Sequence, residues 1–104
     1  MRLVISKKVN QKILQFYAYA IANHPTLDIN TVTLKQQRLF DELEALTIFP
    51  QAYAIARYRK DWKDAGYRVF LCEDFHFAYT VRKLRSGEEV VIVVDVEHSY
   101  LYHD

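Results

Sequence analysis

Residues 66–96, "GYRVFLCEDFHFAYTVRKLRSGEEVVIVVDV", decide how this chain folds. From Gly66 onward the hydrophobic period is two. Tyr67 to Cys72 reads as one strand. In the next, Phe75, Phe77, Tyr79 and Val81 alternate with His76, Ala78, Thr80 and Arg82, which puts the two sets on opposite faces of a sheet. "RSGEE" at 85–89 supplies a turn, and "VVIVVDV" at 90–96 is an almost unbroken β-branched run, the pattern of an inner strand covered on both faces. Hairpin connections make these strands antiparallel neighbours.

The first of those connections sets the register. A loop of two residues, Glu73 and Asp74, pairs Leu71 with His76 and turns Arg68 toward the apolar face. A three-residue loop pairs Cys72 with His76 instead, and Arg68 then shares the polar face with His76 and Arg82. A basic, His-containing groove requires the second arrangement, because an unpaired guanidinium is not left in an apolar core.

Upstream of Gly66 the period is helical. Residues 2–5 read as a short strand, and Ser6 is placed to cap a helix whose stripe is Val9, Ile13, Phe16, Tyr17, Ala20 and Ile21. Pro25 ends it by pushing His24 out of the helical region. A second helix is expected from about Asn30 to Thr47, capped by Asp28 or Asn30, with Val32, Leu39, Leu43 and Leu46 facing inward. The expected fold is therefore α+β, one domain over residues 1–104 in the order β-α-α-β-β-β. Its helical hairpin packs on one face of a small antiparallel sheet.

Composition narrows the functional classes. Of the 104 residues, 51% are apolar and 26% charged, which excludes a disordered chain. A formal net charge of +1 argues against a broad, sequence-independent grip on nucleic acid. A local basic site remains open, since five of the fourteen Lys and Arg residues fall in "RYRKDWKDAGYR" at 57–68. There Arg57, Arg59, Lys60 and Lys63 are candidate phosphate contacts, or else Asp61 and Asp64 make the run an ordinary solvated connection. Trp62 either anchors that run on the core or offers a stacking platform for a base. The single cysteine, Cys72, has no internal disulfide partner, and the loose spacing of His98, His103 and Asp104 is not that of a metal site. The apolar run in "MRLVISKKVN" is too short for a signal peptide or membrane span, so a cytoplasmic protein is the expectation.

The element order, with the segment from Phe75 to Tyr79 followed by a hydrophobic strand ending in His98, resembles the RelE/ParE superfamily of toxins from type II bacterial toxin–antitoxin systems. The resemblance spans nearly the whole chain and implies a cognate antitoxin protein as partner. Its nuclease members cut messenger RNA on the ribosome without a metal or other cofactor. That chemistry needs a base for the ribose 2′-hydroxyl, cations for the phosphate and an acid for the leaving 5′-oxygen. Carried over by position, His98 is the acid or base, Arg68 stabilises the phosphate, and His76 and Tyr100 assist. Arg82 joins the basic residues of the 57–68 run as a phosphate contact. Three departures stand out, the first being that no Arg follows His98 where several members have one. His76 occupies a position where nuclease members have Arg, and Phe70 one where they have a second basic residue. These departures keep two alternatives open: a toxin that inhibits DNA gyrase by binding, and a family relative that has lost toxicity.

Overall fold

The computed structural model describes residues 1–24, 26 and 28–99; Tyr100, His103 and Asp104 lie outside them. Strand β1 (Arg2–Ile5) leads into helix α1 (Lys7–Asn23) through Ser6. The Ser6 amide donates to the Val93 carbonyl at 3.0 Å while its hydroxyl oxygen accepts from the Val9 amide at 3.3 Å, so one residue both closes a strand and caps a helix. Helix α2 (Ile29–Leu43) begins with the Asp28 carboxylate accepting from the Asn30 amide at 3.0 Å, and continues as a 3₁₀ turn, Glu44–Thr47. Val9, Ile13 and Tyr17 of α1 and Val32, Leu39, Leu43 and Leu46 of the second helical segment are buried, as their spacing requires. Each contributes about 1.5–3 kcal/mol of apolar burial.

Beneath this hairpin lies a four-stranded sheet in the order β1-β4-β3-β2, built from β2 (Arg68–Cys72), β3 (Phe75–Lys83) and β4 (Glu89–His98). The class and element order are those the sequence predicts, and β4 is an inner strand, as is β3. The sheet itself is mixed, because β1 pairs in parallel with β4, from Arg2 with Val90 to Ile5 with Val93. Phe70, Cys72, Phe75, Phe77, Tyr79, Val91, Val93 and Val96 meet the helices on one face.

The two-residue connection is the one adopted. Leu71 pairs with His76 and Cys72 with Phe75 across Glu73 and Asp74, and Glu73 takes a left-handed φ of 53° to close the turn. Along β4 the register slips between Ala78 and Tyr79, whose partners are Asp95 and Val93. Val94 is thus an extra residue, a bulge that lets Val93 and Val96 both face the helices.

The 57–68 run, expected as a connection within the domain, contains a helix. Lys60–Ala65 forms a third helix, α3, ended by Gly66 at a φ of 74°, where a side chain would be strained. Six residues do not hold a helix unaided. Trp62 holds this one, 1% exposed, packed with Ala56 and Ala78 in a second small core on the sheet face opposite the hairpin. A buried indole cannot stack on a base, so Trp62 is the anchor of the run and not a stacking platform.

Candidate functional site

The far face of the sheet, opposite the helical hairpin, brings together His76, Glu97, Arg59, Asp61, Trp62 and Asp95. His76 and Glu97 are direct cross-strand partners on β3 and β4, a relation that sets Cβ atoms about 4.5–5.5 Å apart. The Ser99 hydroxyl lies 3.2 Å from His76 Nδ1 and orients the ring, and the Ser99 amide donates to the Asp74 carbonyl at 2.7 Å. Arg59 Nη1 reaches Glu97 Oε2 at 3.4 Å. Its Nε and Nη2 take the two Asp61 oxygens at 2.9 and 3.3 Å, and its guanidinium carbon sits 4.0 Å above the Trp62 ring centroid. Burial pulls the Arg59 guanidinium down, but Asp61 first, then Asp95 and Glu97, outweigh it and hold it above its ordinary value. Asp61 is held below the usual carboxylate range by its hydrogen bond from Arg59.

Asp95 is the buried centre of this arrangement, 4% exposed in the strand beyond the bulge. Lys12 Nζ approaches Oδ1 at 2.8 Å and Lys8 Nζ approaches Oδ2 at 3.3 Å; both come from α1, past the point where β1 ends. Trp62 Nε1 donates to Oδ2 at 3.0 Å, the Val96 amide to Oδ1 at 2.8 Å, and Arg59 Nη2 stands 3.5 Å from Oδ2. Burial pushes the Asp95 carboxyl up, yet the hydrogen bonds from Lys12, Trp62 and the Val96 amide prevail and hold it at about 2. A charge in the apolar run "VVIVVDV" demands such partners. That demand was the signal for Asp95; Glu97, Asp61, Ser99, Lys8 and Lys12 carried none of their own.

The residues carried over as catalytic do not converge. Arg68 pairs with Tyr79 and lies on the helix-side face, half-buried, its Nη1 donating to the Tyr53 carbonyl at 2.6 Å. It therefore does not share a groove with His76 and Arg82, because the two-residue loop sends the even-numbered residues of β2 and the odd-numbered residues of β3 to the same side. His98 is also on the helix side, opposite Phe75. Its ring stacks on Phe16 at 4.6 Å and meets Phe75 edge-on at 5.5 Å. It borders a hollow of about 380 Å³ with Lys12, Gln15, Phe16, Tyr19 and Glu97. His98 and His76 thus face opposite sides and form no acid–base pair. Arg68 stands four residues along and two strands across from His98, roughly 13 Å by 10 Å at ordinary sheet spacing.

Of the basic candidates, Arg57, Lys60 and Lys63 are exposed around α3, while Arg82 is exposed at the far end of β3, six residues from His76. Among the described residues, no group of three or more His, Cys, Asp and Glu side chains is placed to hold a metal ion. No helix among them is long and apolar enough to cross a membrane. No family model matches this chain, and no curated protein matches it.

Proposed function

We propose that this chain is the toxin of a type II toxin–antitoxin pair of the RelE/ParE kind, a cytoplasmic endoribonuclease that cuts messenger RNA on the ribosome without a metal. The working surface is the far face of the sheet. The observation that carries this reading is the pairing of His76 with Glu97 on that face, with Arg59 at 3.4 Å from the same carboxylate. An imidazole beside a carboxylate takes the proton of a ribose 2′-hydroxyl, and the carboxylate steadies the imidazolium that forms. The 2′-oxygen then attacks phosphorus, the bond to the 5′-oxygen breaks as that oxygen takes a proton from water, which the imidazolium in turn resupplies, and the guanidinium offsets the charge that builds on the phosphate. Neutralisation falls to a cognate antitoxin.

A second reading has its own support. Around Arg59, the cations Lys8, Lys12 and Arg59 face the carboxylates Asp61, Asp95 and Glu97, so the site is charge-balanced. Balance suits a toxin that inhibits DNA gyrase by binding better than it suits a polyanion-cleaving enzyme. The two separate on expression of the wild type and His76→Ala with messenger 5′ ends mapped in translating cells. Codon-spaced breaks that vanish in His76→Ala support the nuclease. Growth arrest without breaks retires it, and supercoiling assays with gyrase then test the binding reading.

A further inference from the structure

We infer that Arg59 is the phosphate-binding group of the far face, and that Asp61 occupies its fork as a stand-in which a single-stranded RNA phosphate must displace. The inference rests on the RNA reading above and names the group that receives the backbone. Asp61 engages Nε and Nη2 of Arg59 with both carboxylate oxygens, at 2.9 and 3.3 Å. Phosphate offers two oxygens to that same fork.

The two partners are held very differently. The Arg59 side chain is 21% exposed and Asp61 63%. Arg59 lies flat on the buried Trp62 ring, and its remaining edge points to Glu97 and Asp95, at 3.4 and 3.5 Å. Its position is set from beneath by groups belonging to β4 and the second core. Asp61 is held by Arg59 from the solvent side and is itself 63% exposed, so turning it away returns a carboxylate to water and leaves none buried without a partner. An incoming phosphate therefore finds a cation already oriented, and only an exposed carboxylate has to move. Once Asp61 turns away, the cations Lys8, Lys12 and Arg59 outnumber the carboxylates Asp95 and Glu97, and the site becomes receptive to an anion. The near-neutral chain thus keeps its phosphate site closed to small anions and opens it to a ligand held by neighbouring contacts as well. Arg57, Lys60 and Lys63, exposed along the same segment, are placed to supply those contacts.

The test titrates a short 2′-O-methyl oligoribonucleotide, which lacks the hydroxyl that cleavage needs, into the full chain and its variants over a range of salt. Asp61→Asn is expected to bind three- to tenfold tighter than wild type. Its plot of log K against log salt should steepen by about 0.7, because a displaced Asp61 recruits a cation that offsets the one the phosphate releases, and Asn does not. Asp64→Asn removes the same charge from the same helix without touching Arg59 and should change little. In an Arg59→Gln background, Asp61→Asn should give no gain. Trp62 emission, the only tryptophan signal in the chain, reports that each variant is folded.

An Asp61→Asn protein that binds no tighter, or binds below detection, overturns the inference whatever the cleavage maps show. Equal gains from Asp64→Asn, or a gain that survives Arg59→Gln, overturn it as a general charge effect. A gain for polyglutamate with none for the oligonucleotide overturns the assignment to phosphate. Tighter binding by Asp61→Asn alongside growth arrest without RNA breaks retires the nuclease and keeps the site.

Discussion

The indole Nε1 of Trp62 donates to Asp95 Oδ2 over 3.0 Å, and this bond ties the short helix α3 to the inner strand β4. Both groups are buried, Trp62 at 1% and Asp95 at 4% exposure. Asp95→Ala leaves Lys12, Arg59 and the indole without their shared acceptor, and is expected to cost about 3–5 kcal/mol in denaturant unfolding. The pH dependence follows from the carboxyl being held at about 2, below its ordinary 3.8. A depressed acid stabilises the fold fully above its unfolded pKa and loses that contribution as pH falls through the folded value. Roughly 2 kcal/mol should therefore disappear between pH 4 and pH 2. Unfolding curves of Asp95→Asn, compared with wild type through that window, should lack this portion of the acid sensitivity.

The same strand shows how far the sequence carries. Alternation in β3 placed His76 on the face away from Phe75, Phe77 and Tyr79, and the structure agrees. Counting by two along β4 fails for His98, because the extra residue at Val94 exchanges the faces: Val91 and Val93 point to the helices before it, Val96 and His98 after it. Nothing in a run of β-branched residues marks where a bulge falls. The parallel partner of β4 was equally hidden, since "RLVI" is too short to declare its direction. Helix α3 was masked by its charges; its one apolar anchor, Trp62, admitted two readings, and only the second core around Ala78 decides between them.

His98 and His76 give opposite expectations. His98 packs between Phe16 and Phe75, so His98→Phe conserves ring stacking and should keep the thermal midpoint within a few degrees and, on the proposed nuclease reading, leave growth arrest intact. His76→Ala sits on the half-exposed far face and should fold normally, while on the proposed nuclease reading RNA cleavage falls a hundredfold or more. Growth assays with matched expression check both. Loss of toxicity in a folded His98→Phe would move the chemistry to the helix side.

Arg68 should behave as a structural residue. Its bond to the Tyr53 carbonyl at 2.6 Å fastens the segment before α3 to β2, alongside the amide of Val69 donating to the Ala54 carbonyl at 3.0 Å. Arg68→Met keeps the aliphatic stem and removes a charged donor, an expected loss of about 1.5–3 kcal/mol. Oligonucleotide affinity and its salt dependence should match wild type at temperatures where the variant is folded. A slope reduced by about 0.7 would instead mean that Arg68 meets a phosphate.

Cys72 tests the packing between β2 and α2. Its thiol donates to Glu42 Oε2 at 2.8 Å, and the residue is 3% exposed. Burial, reinforced by the Glu42 carboxylate, pushes the thiol far above its usual range, so the reactive thiolate is suppressed. With Ellman's reagent at pH 8 the native protein should react only as fast as it opens, and the rate should rise with denaturant in parallel with unfolding. Glu42→Gln retains an acceptor and removes the charge, leaving burial, the larger cause, in place. Its reaction should therefore stay slow in the native state. A fast reaction in Glu42→Gln with an unchanged unfolding midpoint would show that the carboxylate, not burial, protects the thiol.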